Sequence, residues 1–463
     1  RHIRSKHYVE GNMKQRYLKG ANPAWLLAGM LMAQFSTEVC STPTGYVADV
    51  VSPFFFTGDT SNTQSTFGLQ GIKEWTPTGW FIVTGTSGSN GVVYLGPINH
   101  GYSQVPSQQS GGTTTLTPPS QLQSCVSAGG SGSGQGNCTS STMGGWFVMN
   151  FPGYATSIYG PDVVSTSTAS VNLVGSIVQT SGTLPTLGFY YSGPITNNPN
   201  SSNFVSYQAT SKDKGLADYT FMHSVSGGSA QAPLAVGNYG YQTEGGSPWG
   251  HAFIYNPANQ SQTDIVYPDS DKTHTAYGIW YNGDGTYTIA GGIGAPNEAK
   301  SEYVYGKPLP AGLGYLMDYN PNAPLKNRFY NYTPYKYTPL SSDRIPGKVV
   351  TIDTHFEGIW RDGKGGYRLP ATVMYLTVDK NGVSKNISKA KVMTVKRLSN
   401  GHFVRSGVWT DVIVPGGQEV TNDSISGDTS IGLVTYPKVT DSQGNTVSNS
   451  IMTSYAHTPI KSQ

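Results

Sequence analysis

"THTAYGIWYNGDGTYTIAGGI" runs from residue 273 to 293, and "THFEGIWRDGKGGYRLPATV", from 354 to 373, repeats it closely. In both, a small residue and an aliphatic one (Gly278-Ile279, Gly358-Ile359) precede a Gly-rich turn and a strand-like run. The turns "NGDG" and "DGKGG" supply the positive-φ residues that tight hairpins need. A phrase written twice asks for further copies. The same template, with "TDIVYPD" (263–269) before the kernel, "YTIAGGI" (287–293) after it and "LGYLMDY" (313–319) closing it, finds further kernels. They are Gly71-Ile72, Ser157-Ile158, Ser224-Val225 and Ser424-Ile425.

Each unit offers four short strands, so the chain is expected to be all-β. The expected architecture is a single β-propeller over residues 45–460, with about six four-stranded blades and a low-complexity loop insertion at 104–144. The small kernel residue fits a crowded axis, where a short side chain permits close backbone approach.

Composition agrees. The 463 residues include 58 Gly and 30 Tyr, the first suited to turns and the second to pleated strands. With 12% charged residues and a net charge of +3, the chain lacks the basic face of a nucleic-acid binder. Residues 1–40 read as a leader: Lys14, Arg16 and Lys19 precede the short apolar run "AWLLAGMLMA" (24–33), which is too short to span a bilayer. Export is therefore expected, to the cell surface, periplasm or medium. No other stretch has the length and hydrophobicity of a membrane helix. Cys125 and Cys138 flank a flexible Gly/Ser segment and are expected to pair as a disulfide in an oxidising compartment. No CxxC pair, HExxH helix, GxSxG elbow or Walker loop is present, so neither a metal nor a cofactor is expected.

The stretch "GHAFIYNPANQSQTDIVYPDSDKTHTAYGI" (250–279) resembles the extracellular HAF-type repeat of bacterial surface and secreted proteins. The likeness rests on His251-Ala252-Phe253 with Tyr255, then Thr263-Asp264-Ile265, then Ala276-Tyr277-Gly278-Ile279, and it covers this one unit. It implies export and a propeller-like repeat fold, and it implies no catalytic residue.

In a propeller, ligands bind where the blades converge. The residues just before the kernels, Gln70, Thr156, His223, Tyr277, Glu357 and Asp423, are the candidates for a shared axial mouth. His223, Glu357 and Asp423 could form an acid/base pair or a cation site there; the alternative is that they point between blades or into solvent and satisfy local backbone groups. Trp75 and Trp249, beside turns, are candidates for a sugar-binding surface, whereas the periodic Trp280 and Trp360 read as blade packing. His274 and His355 read as a pair placed by repeat symmetry. The main expectation is an exported, non-catalytic propeller that binds a carbohydrate or a cell-envelope protein. The alternative is an extracellular polysaccharide hydrolase or lyase that uses carboxylates at the axial mouth.

The insertion can be tested directly. Limited proteolysis should cut first within 104–144 and leave the domain folded, and the fragments should stay joined through Cys125–Cys138 until reduced. Cleavage that unfolds the whole chain would place the insertion in the core.

Overall fold

The computed structural model describes residues 46–47, 67–76, 80–98, 145–180, 185–197, 199–244, 250–266, 268, 273–294, 309–340, 342–414, 417–436, 439–440, 443–444, 446–448 and 451–459. The expected leader, the 104–144 insertion with Cys125 and Cys138, and Trp249 lie outside the described residues.

The described chain is all-β. The first sheet pairs Phe67–Thr76, Trp80–Ser87, Asn90–Pro97 and Gly145–Val148 in that order. The second pairs Tyr154–Ser165, Ser170–Gln179, Leu187–Pro194 and Phe204–Tyr207. The third pairs Tyr219–Ser226, Leu234–Gly240, His251–Asn256 and Ser261–Ile265. Gly278–Tyr281, Tyr287–Gly294, Leu309–Tyr319 and Phe329–Tyr335 make a fourth group. Lys348–Phe356 with Trp360–Arg361, then Gly366–Val378, Ser384–Lys396 and Val408–Asp411, make a fifth. A short parallel pairing, Leu309↔Thr351 and Pro310↔Ile352, joins the fourth and fifth into one nine-stranded sheet. The last sheet pairs Ser424–Ser426, Thr429–Tyr436 and Ile451–Pro459, and its outer strand is Tyr46–Val47.

The expected strands are therefore present, but the repeat and the sheet are out of step by one strand. The strand that precedes a kernel in sequence is the outermost strand of the previous sheet: Ser261–Ile265 belongs with the third sheet, while Gly278–Tyr281 opens the fourth. The turn chemistry is as read. Asp284 Oδ1 accepts from the Thr286 backbone N–H at 3.0 Å, and Asp362 Oδ1 accepts from Lys364 N at 2.7 Å and Gly366 N at 2.8 Å. These aspartates shape hairpins.

Apolar side chains fill the gaps between successive sheets. Ile82, Val93, Ile158 and Phe189 join the first to the second; Val174, Met222, Ala235 and Phe253 join the second to the third. Leu234, Ile254, Ile289 and Met317 join the third to the fourth, and Leu316, Phe356, Leu369 and Met393 the fourth to the fifth. Ala390, Val392, Ile425 and Val434 join the fifth to the last. Leu69, Ile72, Val83 and Ile431 join the last to the first and return the series to its start. The arrangement is propeller-like.

The inner strands touch in the same cyclic order. A Cβ on Gly71 would lie 2.2 Å from Tyr159 O, one on Gly160 would lie 2.6 Å from His223 O, and one on Gly278 would lie 2.7 Å from the carbonyl carbon of Gly358. Where a kernel carries Ser, the hydroxyl is used: Ser224 and Ser226 accept from Ile279 N and Tyr281 N at 3.4 and 3.0 Å, and Ser424 and Ser426 accept from Ile72 N and Glu74 N at 3.3 and 2.9 Å.

These contacts correct one kernel. In the second sheet the residue packed on its neighbour as Gly71 is packed on its own is Gly160, so the kernel is Gly160-Pro161 and not Ser157-Ile158. An irregularity between Ile158 and Gly160 shifts the register there.

Gly71→Ala should destabilise the chain by about 1–3 kcal/mol, because it pushes a methyl into backbone that cannot retreat. Ser226→Ala should cost about 1–3 kcal/mol by stranding the Tyr281 N–H. Gly283→Ala has nothing within 4 Å and should cost only the strain of φ +93°, about 1–2 kcal/mol. Urea unfolding of the three variants, with near-UV circular dichroism as a check on packing at the axis, reads the difference.

Candidate functional site

In each sheet the inner strand stops being regular just before the kernel. The pairing slips between Leu69 and Gly71, between Ile158 and Gly160, and between Met222 and Ser224, leaving Gln70, Tyr159 and His223 as the extra residues. Tyr277 N and Gly278 both face Ala290, Glu357 N bonds Pro370 O, and Asp423 N and Ser424 both face Ile431. A bulge re-aims one side chain out of the alternating pattern. Here it delivers Gln70, Tyr159, His223, Tyr277 and Glu357 to one axial cavity. Asp423 sits beside it, with its carbonyl 3.8 Å from where a Cβ on Gly358 would be.

Four of the six residues expected at the mouth thus line the cavity, and Asp423 adjoins it. Thr156 does not reach it. Its hydroxyl is buried against Phe151 N and Tyr154 O, and Tyr159 holds the axial place. Trp75 also differs from expectation. It is 9% exposed and packs with Ile82, Met149 and Phe189 between sheets, so it offers no sugar-binding face. Trp280 and Trp360, expected as packing, do pack against the clusters between the fourth and fifth and between the fifth and last sheets, and they line the axial cavity as well. His274 and His355 are not equivalent either. His274 precedes its kernel glycine by four residues and His355 by three, and one residue along a strand reverses the face. His274 is buried within its sheet, while His355 contacts Tyr277 and Glu357, which line the cavity.

The sequence reading left Asp353 and His355 out of the axial site. They alternate with buried Ile352, Thr354 and Phe356 on Lys348–Phe356, and together with Glu357 they occupy every second position. That alternation, Asp-x-His-x-Glu, was the available signal.

The rings and charges form a chain around the axis. Tyr159 stacks on His223 at 5.2 Å between centroids, His223 on Tyr277 at 3.8 Å, and Tyr277 meets His355 edge-on at 4.5 Å. His355 Nδ1 lies 3.1 Å from Glu357 Oε1, and its Nε2 lies 2.6 Å from Thr275 Oγ1. Burial, with the charge on His355, lowers the His223 pKa to about 3, so this imidazole is neutral. Burial opposes charge on His355 as well, but the carboxylates of Glu357 and Asp353 outweigh it and raise its pKa. Burial, reinforced by the charge on Glu357, raises the pKa of Asp423 well above the usual carboxyl value. Asp353 is raised by burial too, partly offset by His355.

Three residues further along the inner strands, about 10 Å away, the lining changes. Lys73 reaches Asp162 at 2.6 Å and lies 5.1 Å from the Trp280 ring; Arg368 lies 5.3 Å from the Trp360 ring and pairs with Asp428. The axis is acidic and imidazole-rich at one level, cationic and aromatic at the next. The space between holds about 40 Å³ for the centres of water-sized molecules, room for water or a small polar group. Among the described residues no group of three His, Cys, Asp or Glu side chains is placed to hold a metal ion, and no helix is long and apolar enough to cross a membrane.

No family model and no curated protein matches the chain. Among solved structures it is similar to a mannose phosphorylase from Leishmania mexicana in complex with phosphate ion, at 9% identity and a TM-score of 0.31, over 67% of this chain and 85% of that one. It is similar to an α-L-arabinofuranosidase from Podospora anserina in complex with cellotriose, at 9% identity and 0.27, over 66% and 92%. A third is the catalytic domain of a GH62 α-L-arabinofuranosidase from Coprinopsis cinerea, at 10% identity and 0.28, over 65% and 90%.

The raised Asp423 carboxyl makes a pH prediction. A group whose folded pKa lies above its unfolded value of 3.8 contributes stability that is complete below that value and is lost as pH rises through the folded pKa. Asp423→Asn should therefore be more stable than the parent at neutral pH and show a smaller fall in stability between pH 4 and 7. Urea midpoints at several pH values test this, and an unchanged slope would count against a buried, protonated Asp423.

Proposed function

We propose that this is an exported β-propeller of six blades that acts on carbohydrate at its axial site. The observation that carries the reading is the pairing of two carboxyls of unlike environment, Asp423 and Glu357, beside His355 and the cavity. Two acids whose surroundings push them apart are suited to complementary roles. Asp423, held protonated by burial, can donate to a leaving oxygen. Glu357, next to a histidine whose positive charge is favoured, can act as the base or the stabilising carboxylate. Trp280 and Trp360, with Lys73 and Arg368 near their faces, supply flat surfaces for a sugar ring at the adjoining level. The HAF-type resemblance adds export to the reading.

A second reading, binding without chemistry, is favoured by one specific observation: Glu357 lines the cavity, whereas Asp423 and His355 do not. On that reading a glycan rests at the mouth.

The two separate in one experiment. A panel of polysaccharides is incubated with the full chain, with Glu357→Gln and with Asp423→Asn, and both binding and released reducing ends are measured. Hydrolysis that falls by about 10²–10⁴-fold in both variants while binding persists supports the enzyme. Binding with no released product from any form favours the second reading, and neither binding nor release overturns both.

A further inference from the structure

Away from the axis, Lys391 is buried to 1% exposure in the fifth sheet. Its ammonium contacts one oxygen of Asp343 and one of Asp411. Lys391 and Asp411 are directly opposed on adjacent strands, whereas Asp343 lies in the connector between the fourth and fifth groups of strands. The pocket is aromatic: Tyr337 and Tyr375 are fully buried, and Trp409 packs edge-on to Tyr337 at 4.9 Å.

The donors are unevenly placed. Asp343 Oδ1 meets the lysine, while Oδ2 accepts from Tyr337 O–H, from Tyr375 O–H at 2.9 Å and from Leu340 N–H at 2.9 Å. Three donors on one oxygen of a carbonyl-type carbon that faces a nitrogen form an oxyanion site. Asp411, on the other side of the same nitrogen, receives Ser342 Oγ on its second oxygen and, among the described residues, no other donor there.

We propose that Lys391 and Asp343 form an intramolecular isopeptide bond, with Asp411 moving the proton. Lys391 Nζ first passes a proton to Asp343 Oδ1, leaving a neutral amine and a neutral acid. Burial favours these forms, but the contacts around the pair outweigh it, raising the Lys391 pKa and lowering that of Asp343, so this first transfer is uphill. Nζ attacks Cγ, and the charge that develops on Oδ2 is held by Tyr337, Tyr375 and Leu340 N–H. Asp411 takes a proton from the nitrogen and returns it to the Oδ1 hydroxyl, which leaves as water. The C–N bond replaces one C–O bond, Oδ2 becomes the amide carbonyl, Asp411 is regenerated, and no oxidant or cofactor is consumed. The link would tie the 336–347 connector to the Ser384–Lys396 strand.

Intact-mass and tandem mass spectrometry of the purified full chain, with thiols reduced, decide it. The chain should be lighter than its sequence by one water, and a branched peptide should join Lys391 to Asp343. Lys391→Arg and Asp343→Ala should both have full sequence mass, and Asp411→Ala should keep full mass while remaining folded by circular dichroism. A parent chain at full mass with an unmodified Lys391 peptide overturns the proposal, as does a water loss that maps elsewhere. An Asp411→Ala chain that still crosslinks overturns the proton-transfer role.

Discussion

Apart from the fifth group, whose inner strand Lys348–Phe356 also pairs with Leu309–Tyr319, each sheet ends toward the axis in a strand with no partner strand on its inner side among the described residues. An unpaired edge leaves N–H groups that must find acceptors or water. The kernels meet that demand in two ways. Ser224, Ser226, Ser424 and Ser426 offer hydroxyls to the neighbouring inner strand, and Gly71, Gly160 and Gly278 remove the side chain so that backbone meets backbone. The choice between Gly and Ser at a kernel therefore has a rule. Ser224 and Ser424 stand where the next strand presents a donor, and Gly71 and Gly278 belong to the strands that present those donors. The radial stacking of the sheets follows, because only strands this close let the aliphatic kernel residues fill the gaps between sheets.

The same crowding shapes the site. A regular strand would send alternate side chains into the sheet interfaces. The bulge before each kernel diverts one residue to the axis, so Gln70, Tyr159, His223, Tyr277 and Glu357 share one small cavity. In that space solvation is poor and neighbours decide charge. His223 lies between aromatic rings and stays neutral, while His355, two carboxyls beside it, carries its proton more readily. Two imidazoles that are near neighbours in the ring chain are thus shifted in opposite directions by what stands next to each.

Much of this was legible in the residues. Strand positions, hairpin turns and the small-aliphatic kernels follow from turn chemistry and period, which are local. The failures share a cause, which is that they concern register. Ser157-Ile158 has the look of a kernel, but the slip at Tyr159 moves the role to Gly160-Pro161 and takes Thr156 out of the site. His274 and His355 differ by one position relative to their glycines, and that is enough to send one into the sheet and the other to the side of Tyr277 and Glu357. Trp75 lies beside a turn in sequence, yet its ring reaches the gap between two sheets. A bulge or a one-residue offset leaves composition and spacing nearly unchanged, so pattern reading passes over it.

The half-step between repeat and sheet has a consequence for how such a chain can change. Because every covalent unit donates its leading strand to the sheet before it, no unit owns a complete sheet. Duplicating one unit adds a strand to an old sheet and leaves a new one waiting for the next unit's first strand; deleting one does the reverse. The pairing of Tyr46–Val47 with Ile451–Pro459 is the same exchange made across the ends of the ring. Descent by gain or loss of single repeats is then restrained by mutual dependence among the copies, and each copy survives selection only in the company of its neighbours.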